Sequence, residues 1–157
     1  MKILAIDPGY ERLGVAVLEK SRGQKESLIY SECFKTPKEL PFEDRLYQIG
    51  TKINSLIIDY KTDTLAIETL FFSKNTKTAM RVAETRGAII YIAKQNNLLI
   101  KELNPMEIKL AVTGDGKSDK NQMIKMVQLI LKINKKTEDD EYDAISCGIA
   151  CASLSRY

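Results

Sequence analysis

Apolar residues come in short unbroken runs early in the chain and at helical spacing later. That change of period separates strands from helices. Residues 2–7 carry the run Ile3-Leu4-Ala5-Ile6, which predicts a fully buried strand, and Pro8-Gly9 breaks it as a turn. Gly14-Val15-Ala16-Val17-Leu18 predicts a second strand over residues 13–19. Residues 27–36 predict a third, antiparallel to the second, with Arg22-Gly23-Gln24 turning between them. Pro37 and Pro41 close this meander and open a helix, in which Leu46, Ile49, Ile53, Leu56 and Ile57 keep the helical period. Residues 65–68 predict a fourth strand, and residues 69–75 a loop that holds Phe71 and Phe72. A helix over residues 76–95 follows, with Ala79, Val82, Ala83, Ile89, Ile90 and Ala93 as its apolar stripe, and residues 98–102 predict a fifth strand. Asn104-Pro105 is a helix start, with asparagine as cap and proline in the first turn. That short helix runs to Val112 and ends near Gly114. Ser118 is the expected cap of the next helix, to about residue 132, and a last helix covers residues 140–154. The order β-β-β-α-β-α-β-α-α-α predicts an α/β fold, a five-stranded mixed sheet flanked by helices.

The acids stand out against this pattern. Asp7 ends the first strand, Glu68 ends the fourth, and Asp140 and Asp143 open the last helix. If the first and fourth strands are adjacent and parallel, their C-terminal ends meet at one edge. Residues three apart on a helix share a face, so the last helix can bring Asp140 and Asp143 to that edge together. Carboxylates gathered in one spot repel unless a cation lies between them, and hard divalent ions favour oxygen ligands. Taken singly, each acid has a plainer reading. Asp7 suits a Pro-Gly turn, Glu68 a solvent-facing strand end, and Asp140 and Asp143 the first turn of a helix. Glu138, Asp139 and Glu141 read as helix-start or surface charges.

Composition narrows the chemistry. The chain has 157 residues, 44% of them hydrophobic, which suits one domain over residues 1–157. A net charge of +3 permits a local basic face without demanding one. There is no histidine, which removes serine–histidine and cysteine–histidine catalysis and imidazole zinc sites. Cys33, Cys147 and Cys151 form no C-x-x-C motif and read as free thiols, which fit a reducing cytosol. The N-terminus lacks the layout of an export signal, and no apolar run approaches the ~18 residues of a membrane span. A soluble cytoplasmic protein is expected. Lys74, Lys77, Arg81, Lys109, Lys117 and Lys120 can form a basic face that contacts phosphates, although such runs are usually solvated helix faces. Gly114 and Gly116 suit either a phosphate approach or a plain turn. Ala79, Val82, Ala83, Gly87 and Ile90 suit the core or a dimer surface.

Four stretches resemble one family. They are Ile6-Asp7-Pro8-Gly9 with Gly14 in the returning strand; the segment from Ala66-Ile67-Glu68-Thr69-Leu70-Phe71-Phe72-Ser73-Lys74-Asn75 to Arg86-Gly87-Ala88; Pro105-Met106-Glu107-Ile108-Lys109 with Val112 to Gln122; and Asp140-Glu141-Tyr142-Asp143-Ala144-Ile145-Ser146. In this order and spacing they resemble the RuvC family of Holliday junction resolvases, crossover junction endodeoxyribonucleases with a ribonuclease H-like fold. The resemblance implies that Asp7, Glu68, Asp140 and Asp143 are metal-binding catalytic acids. It places a junction-facing phenylalanine at Phe71, beside Lys74 and Asn75, and DNA-contacting lysines at Lys109 and Lys120. It implies a homodimer acting on four-way DNA with Mg²⁺ or Mn²⁺, and a family that works with a branch-migration helicase. Some relatives carry histidine where this chain has Asp140, and many carry a tail beyond the last helix. Residues 10–17 also resemble YqgF-type nucleases of ribosomal RNA maturation.

Two divalent ions can activate a water, stabilise a leaving 3′ oxygen and clamp the phosphate between them. In that scheme Asp7 bridges both ions, Glu68 and Asp143 each add a ligand, and Asp140 completes the second site or orients the water. The expected products are a 5′-phosphate and a 3′-hydroxyl. A YqgF-like RNA nuclease and a junction-binding protein that does not cut are the alternatives. A sugar-kinase-type phosphotransferase is disfavoured, because one short domain leaves no room for a second lobe.

Overall fold

The computed structural model describes residues 1–70 and 76–155, the side chains of residues 76 and 77 excepted. Five strands form one sheet: β1 Lys2–Asp7, β2 Arg12–Glu19, β3 Ser27–Lys35, β4 Thr64–Glu68 and β5 Leu99–Leu103. Their order is β3-β2-β1-β4-β5. β1–β2 and β2–β3 pair antiparallel, while β1–β4 and β4–β5 pair parallel. The helices are α1 Phe42–Tyr60, α2 Thr76–Gln95, α3 Pro105–Thr113, α4 Lys120–Leu131 and α5 Asp139–Leu154.

Two apolar layers follow from the period of a strand. Successive side chains point to opposite faces. Ile3 and Ala5 of β1, Ala16 and Leu18 of β2 and Ala66 of β4 join the layer built with α3, α4 and α5. Leu4, Ile6, Val15, Val17, Leu65 and Ile67 join the opposite layer, with Ile49 and Ile53 of α1 and Ile89 and Ala93 of α2. α5 is buried along most of its length, and its small residues make that possible. A Cβ on Gly148 would stand 2.2 Å from Leu18 Cδ1 and 3.1 Å from the Ala5 Cβ, so only glycine lets α5 lie this close to the sheet.

Three details differ from the sequence expectation. The cap of α4 is Asp119, not Ser118. Asp119 Oδ1 accepts from the Gln122 amide at 2.9 Å, and Gln122 Oε1 accepts from the Asp119 amide at 2.8 Å. This reciprocal box satisfies two otherwise orphaned donors. Ser118 is instead buried and hydrogen-bonded to Thr113 and Asp115. On α2 the inward line is Thr85, Ile89 and Ala93, whereas Ala79, Val82, Ala83 and Ile90 are half-buried and Gly87 is exposed. Glu141 is no surface charge: it is 2% exposed, and it accepts from Lys135 Nζ at 2.5 Å and from the Thr137 hydroxyl. A buried carboxylate needs such partners. No helix among the described residues is long and apolar enough to cross a membrane.

Candidate active site

Strand parity decides where the acids point. Asp7 continues the Ile3–Ala5 face of β1, and Glu68 continues the Ala66 face of β4, so both head towards α5. The parallel register pairs Ile6 with Ile67, which makes Asp7 and Glu68 the next positions along the two strands. α5 reaches this edge through Gly14. A Cβ there would stand 1.9 Å from the carbonyl oxygen of Asp140 and 3.1 Å from the Asp7 Cβ. The start of α5, with Asp140 and Asp143, therefore rests on β2 beside Asp7.

The electrostatics record the crowding. Burial pushes the Asp7 carboxyl from its ordinary 3.8 up to about 8, helped by Asp143, Glu68 and Asp140, with Lys120 opposing. Glu68 is raised by burial and then by Asp143, with Lys109 opposing. Burial raises Asp143 as well; Asp140 adds to this and Lys120 works against it. Asp7, Glu68 and Asp143 are thus harder to ionise, first because they are buried and then because other acids are near.

Two of the four are held by basic side chains. Lys120 Nζ lies 3.1 Å from Asp139 Oδ2 and 3.6 Å from Asp143 Oδ2. Asp140 forms an ion pair with Arg12, and the Cys33 sulfur stands 3.9 Å from Asp140 Oδ2. Among the described residues no three acid or cysteine side chains stand close enough to enclose one ion as they lie. The donor chemistry nevertheless fits a hard divalent cation: every candidate ligand is a carboxylate, and Asp7 sits among three others in a setting that disfavours uncompensated negative charge.

A cleft of about 260 Å³ opens beside the acids, and Glu68, Asp143, Lys109, Lys120, Ser118 and Ser146 are among its lining residues. Lys109 and Lys120 are thereby brought to the acids. Lys117 is exposed and is not part of this lining. Arg81 faces α1, with its guanidinium 4.0 Å from the centre of the Phe42 ring and 3.1 Å from Glu84 Oε2. Phe71, Lys74 and Asn75 lie outside the described residues, as does the Lys77 side chain. Two arginines that sequence reasoning left without a role hold the edge in place. Arg86 Nε donates to the Glu68 carbonyl at 3.0 Å, and its guanidinium pairs with Glu102. Arg12 binds the start of α5. Both stood in stretches that resemble known families, but the role of Arg12 depends on the register of the hairpin.

A family model described as crossover junction endodeoxyribonuclease RuvC matches residues 3–151. The chain belongs to the RuvC family. A RuvC from Thermosipho melanesiensis is 44% identical over 158 residues, covering 100% of both chains. One from Brachyspira hyodysenteriae is 41% identical over 156 residues, covering 99% of this chain and 96% of the relative. The solved structure of T. thermophilus RuvC in complex with Holliday junction substrate matches with a TM-score of 0.91 at 25% identity, covering 98% of this chain and 93% of that one. The sheet order and flanking helices are thus the ribonuclease H-like fold of RuvC, as the sequence motifs implied. RuvC is a family of metal-dependent nucleases.

Proposed function

We propose that Asp7, Glu68, Asp140 and Asp143 hold two divalent ions, Mg²⁺ or Mn²⁺, and that this RuvC-family endonuclease uses them to resolve four-way DNA junctions. Residues 1–157 act as one domain, and two copies form a homodimer that places one nick on each of two opposed strands. The observation that carries the reading is Asp7, a carboxyl pushed up to about 8 by burial among three other acids. Bound there, the ions supply activation of the attacking water and stabilisation of the leaving 3′ oxygen.

The chain's own residues bind and orient. Lys109 and Lys120 line the cleft beside Glu68 and Asp143, where they take the phosphates flanking the cut without reading sequence. Lys74, Asn75, Lys77 and Lys117 extend the DNA contact, and Phe71 stacks on a base where the strands part, worth ~1–3 kcal/mol. The products are a 5′-phosphate and a 3′-hydroxyl. The protein works in the cytoplasm, alongside a branch-migration helicase. The test is incubation with a labelled four-way junction, plain duplex and structured RNA, with and without Mg²⁺. Paired symmetric nicks confined to the junction and dependent on metal are expected; processing of the RNA alone would move the chain to the YqgF-like alternative.

A further inference from the structure

Arg12 opens β2, and its cross-strand partner in β3 is Lys35. Like charges directly opposite in an antiparallel pair repel. Glu138, the residue before α5, resolves this by accepting from both. Arg12 Nη2 donates to Glu138 Oε2 at 2.9 Å, and Lys35 Nζ to Glu138 Oε1 at 2.7 Å. The same Arg12 Nη2 also closes the ion pair with Asp140 Oδ2. Charges therefore alternate from the hairpin into the acidic edge: Lys35, Glu138, Arg12, Asp140. The backbone of Asp140 is set by its close approach to Gly14, and its carboxylate by the Arg12 guanidinium. Only Oδ2 takes part in that pair. A carboxylate has two oxygens and about four lone-pair sites, so one held from outside still has capacity to ligate. Glu138 on the same nitrogen offsets part of the guanidinium's repulsion of an incoming cation.

We propose that Arg12 is the positioning residue for Asp140, holding its carboxylate at the sheet edge and so setting the affinity of the acidic site for divalent cations. The proposal rests on Asp140 being a ligand. Donors that hold a ligating carboxylate from behind are worth ~10–100-fold in metal affinity. Removing Arg12 frees the Asp140 side chain to rotate and lowers the occupancy of the ligating geometry. Both pairs run through Nη2, and a lysine ends one bond short of that atom, so Arg12→Lys recovers only part of the affinity.

The experiment is a Mn²⁺ titration of the DNA-free protein, reading free Mn²⁺ by electron paramagnetic resonance, so that the readout is binding and not cleavage. Wild type, Asp140→Asn, Arg12→Ala, Arg12→Lys, Lys35→Ala and the Arg12→Ala/Asp140→Asn pair are compared, with thermal melting to confirm folding. Asp140→Asn and Arg12→Ala should each weaken Mn²⁺ binding, Arg12→Ala by ~10–100-fold, and the double variant should bind no more weakly than Asp140→Asn alone. Lys35→Ala, which leaves the Arg12–Asp140 pair in place, should bind like wild type. If Asp140→Asn weakens binding while Arg12→Ala stays within roughly threefold of wild type, the positioning role is wrong and the ligand reading survives. If Asp140→Asn itself binds like wild type, the ligand reading and the proposal fall together. Should Arg12→Ala not fold, Arg12→Lys carries the test, and wild-type affinity there overturns the proposal.

Discussion

Replacing Asp7 by asparagine should make the metal-free protein more stable. Asp7 is held protonated up to about pH 8 in the folded chain, against an ordinary value of 3.8. An acid whose folded-state pKa is raised keeps a proton that the unfolded chain has lost. Stability therefore falls as pH rises from about 4 to about 8 and levels off above that. At pH 7, short of the folded-state value, the penalty is ~4 kcal/mol, at about 1.36 kcal/mol per pH unit above the unfolded value. Relaxation and water entry around a site at the sheet edge reduce this to about 2–4 kcal/mol. Asparagine has nearly the same shape and cannot ionise, so it removes the penalty. For a chain of 157 residues, about 2–4 °C per kcal/mol gives a rise in Tm of roughly 4–16 °C. The assay is thermal unfolding in EDTA at pH 5, 7 and 8. The gap between variant and wild type should be small at pH 5 and widen to pH 8. Adding Mn²⁺ should raise the Tm of wild type more than that of the variant, because a ligand that binds only the folded state stabilises it by mass action. A variant that melts at or below wild type at pH 8, or a gap that ignores pH, would refute the account of Asp7.

Gly14→Ala should drive a methyl into the Asp140 carbonyl, which would stand 1.9 Å away; about 1–3 kcal/mol of destabilisation in urea unfolding and weakened Mn²⁺ binding are expected. Lys120→Ala should weaken junction binding and lower the slope of log affinity against log salt by about 1, measured by fluorescence anisotropy across a salt series. Glu141→Ala strands Thr137 and Lys135 and removes a carboxylate that is 2% exposed; urea unfolding should show a loss of ~1–3 kcal/mol, with Mn²⁺ affinity kept.

Much of the site was legible because it follows from period and position. Asp7 and Glu68 end strands whose apolar runs are unmistakable, and Asp140 and Asp143 lie three apart at a helix start. Once β1 and β4 pair in parallel, alternation alone turns the first two acids towards α5. What stayed hidden depends on contacts between distant segments. Arg12 acquires its role only when the hairpin register sets it opposite Lys35 and Gly14 admits the start of α5. Glu141 is buried because Lys135 and Thr137, in a stretch that reads as a polar link, fold back onto it. The α4 cap moved by one residue because Asp119 finds a glutamine three positions on, a reciprocal pairing that Ser118 lacks. The inward line of α2 was legible at Ile89 and Ala93, but hydrophobicity alone does not separate a core stripe from its half-buried border at Ala79, Val82, Ala83 and Ile90.

A crystal of the protein soaked in Mn²⁺ gives the most direct view of the acidic edge. Anomalous peaks ligated by Asp7 and Glu68, with Asp140 and Asp143 completing the coordination, are the predicted result. Manganese density elsewhere on the molecule, with none among these four carboxylates, would contradict it.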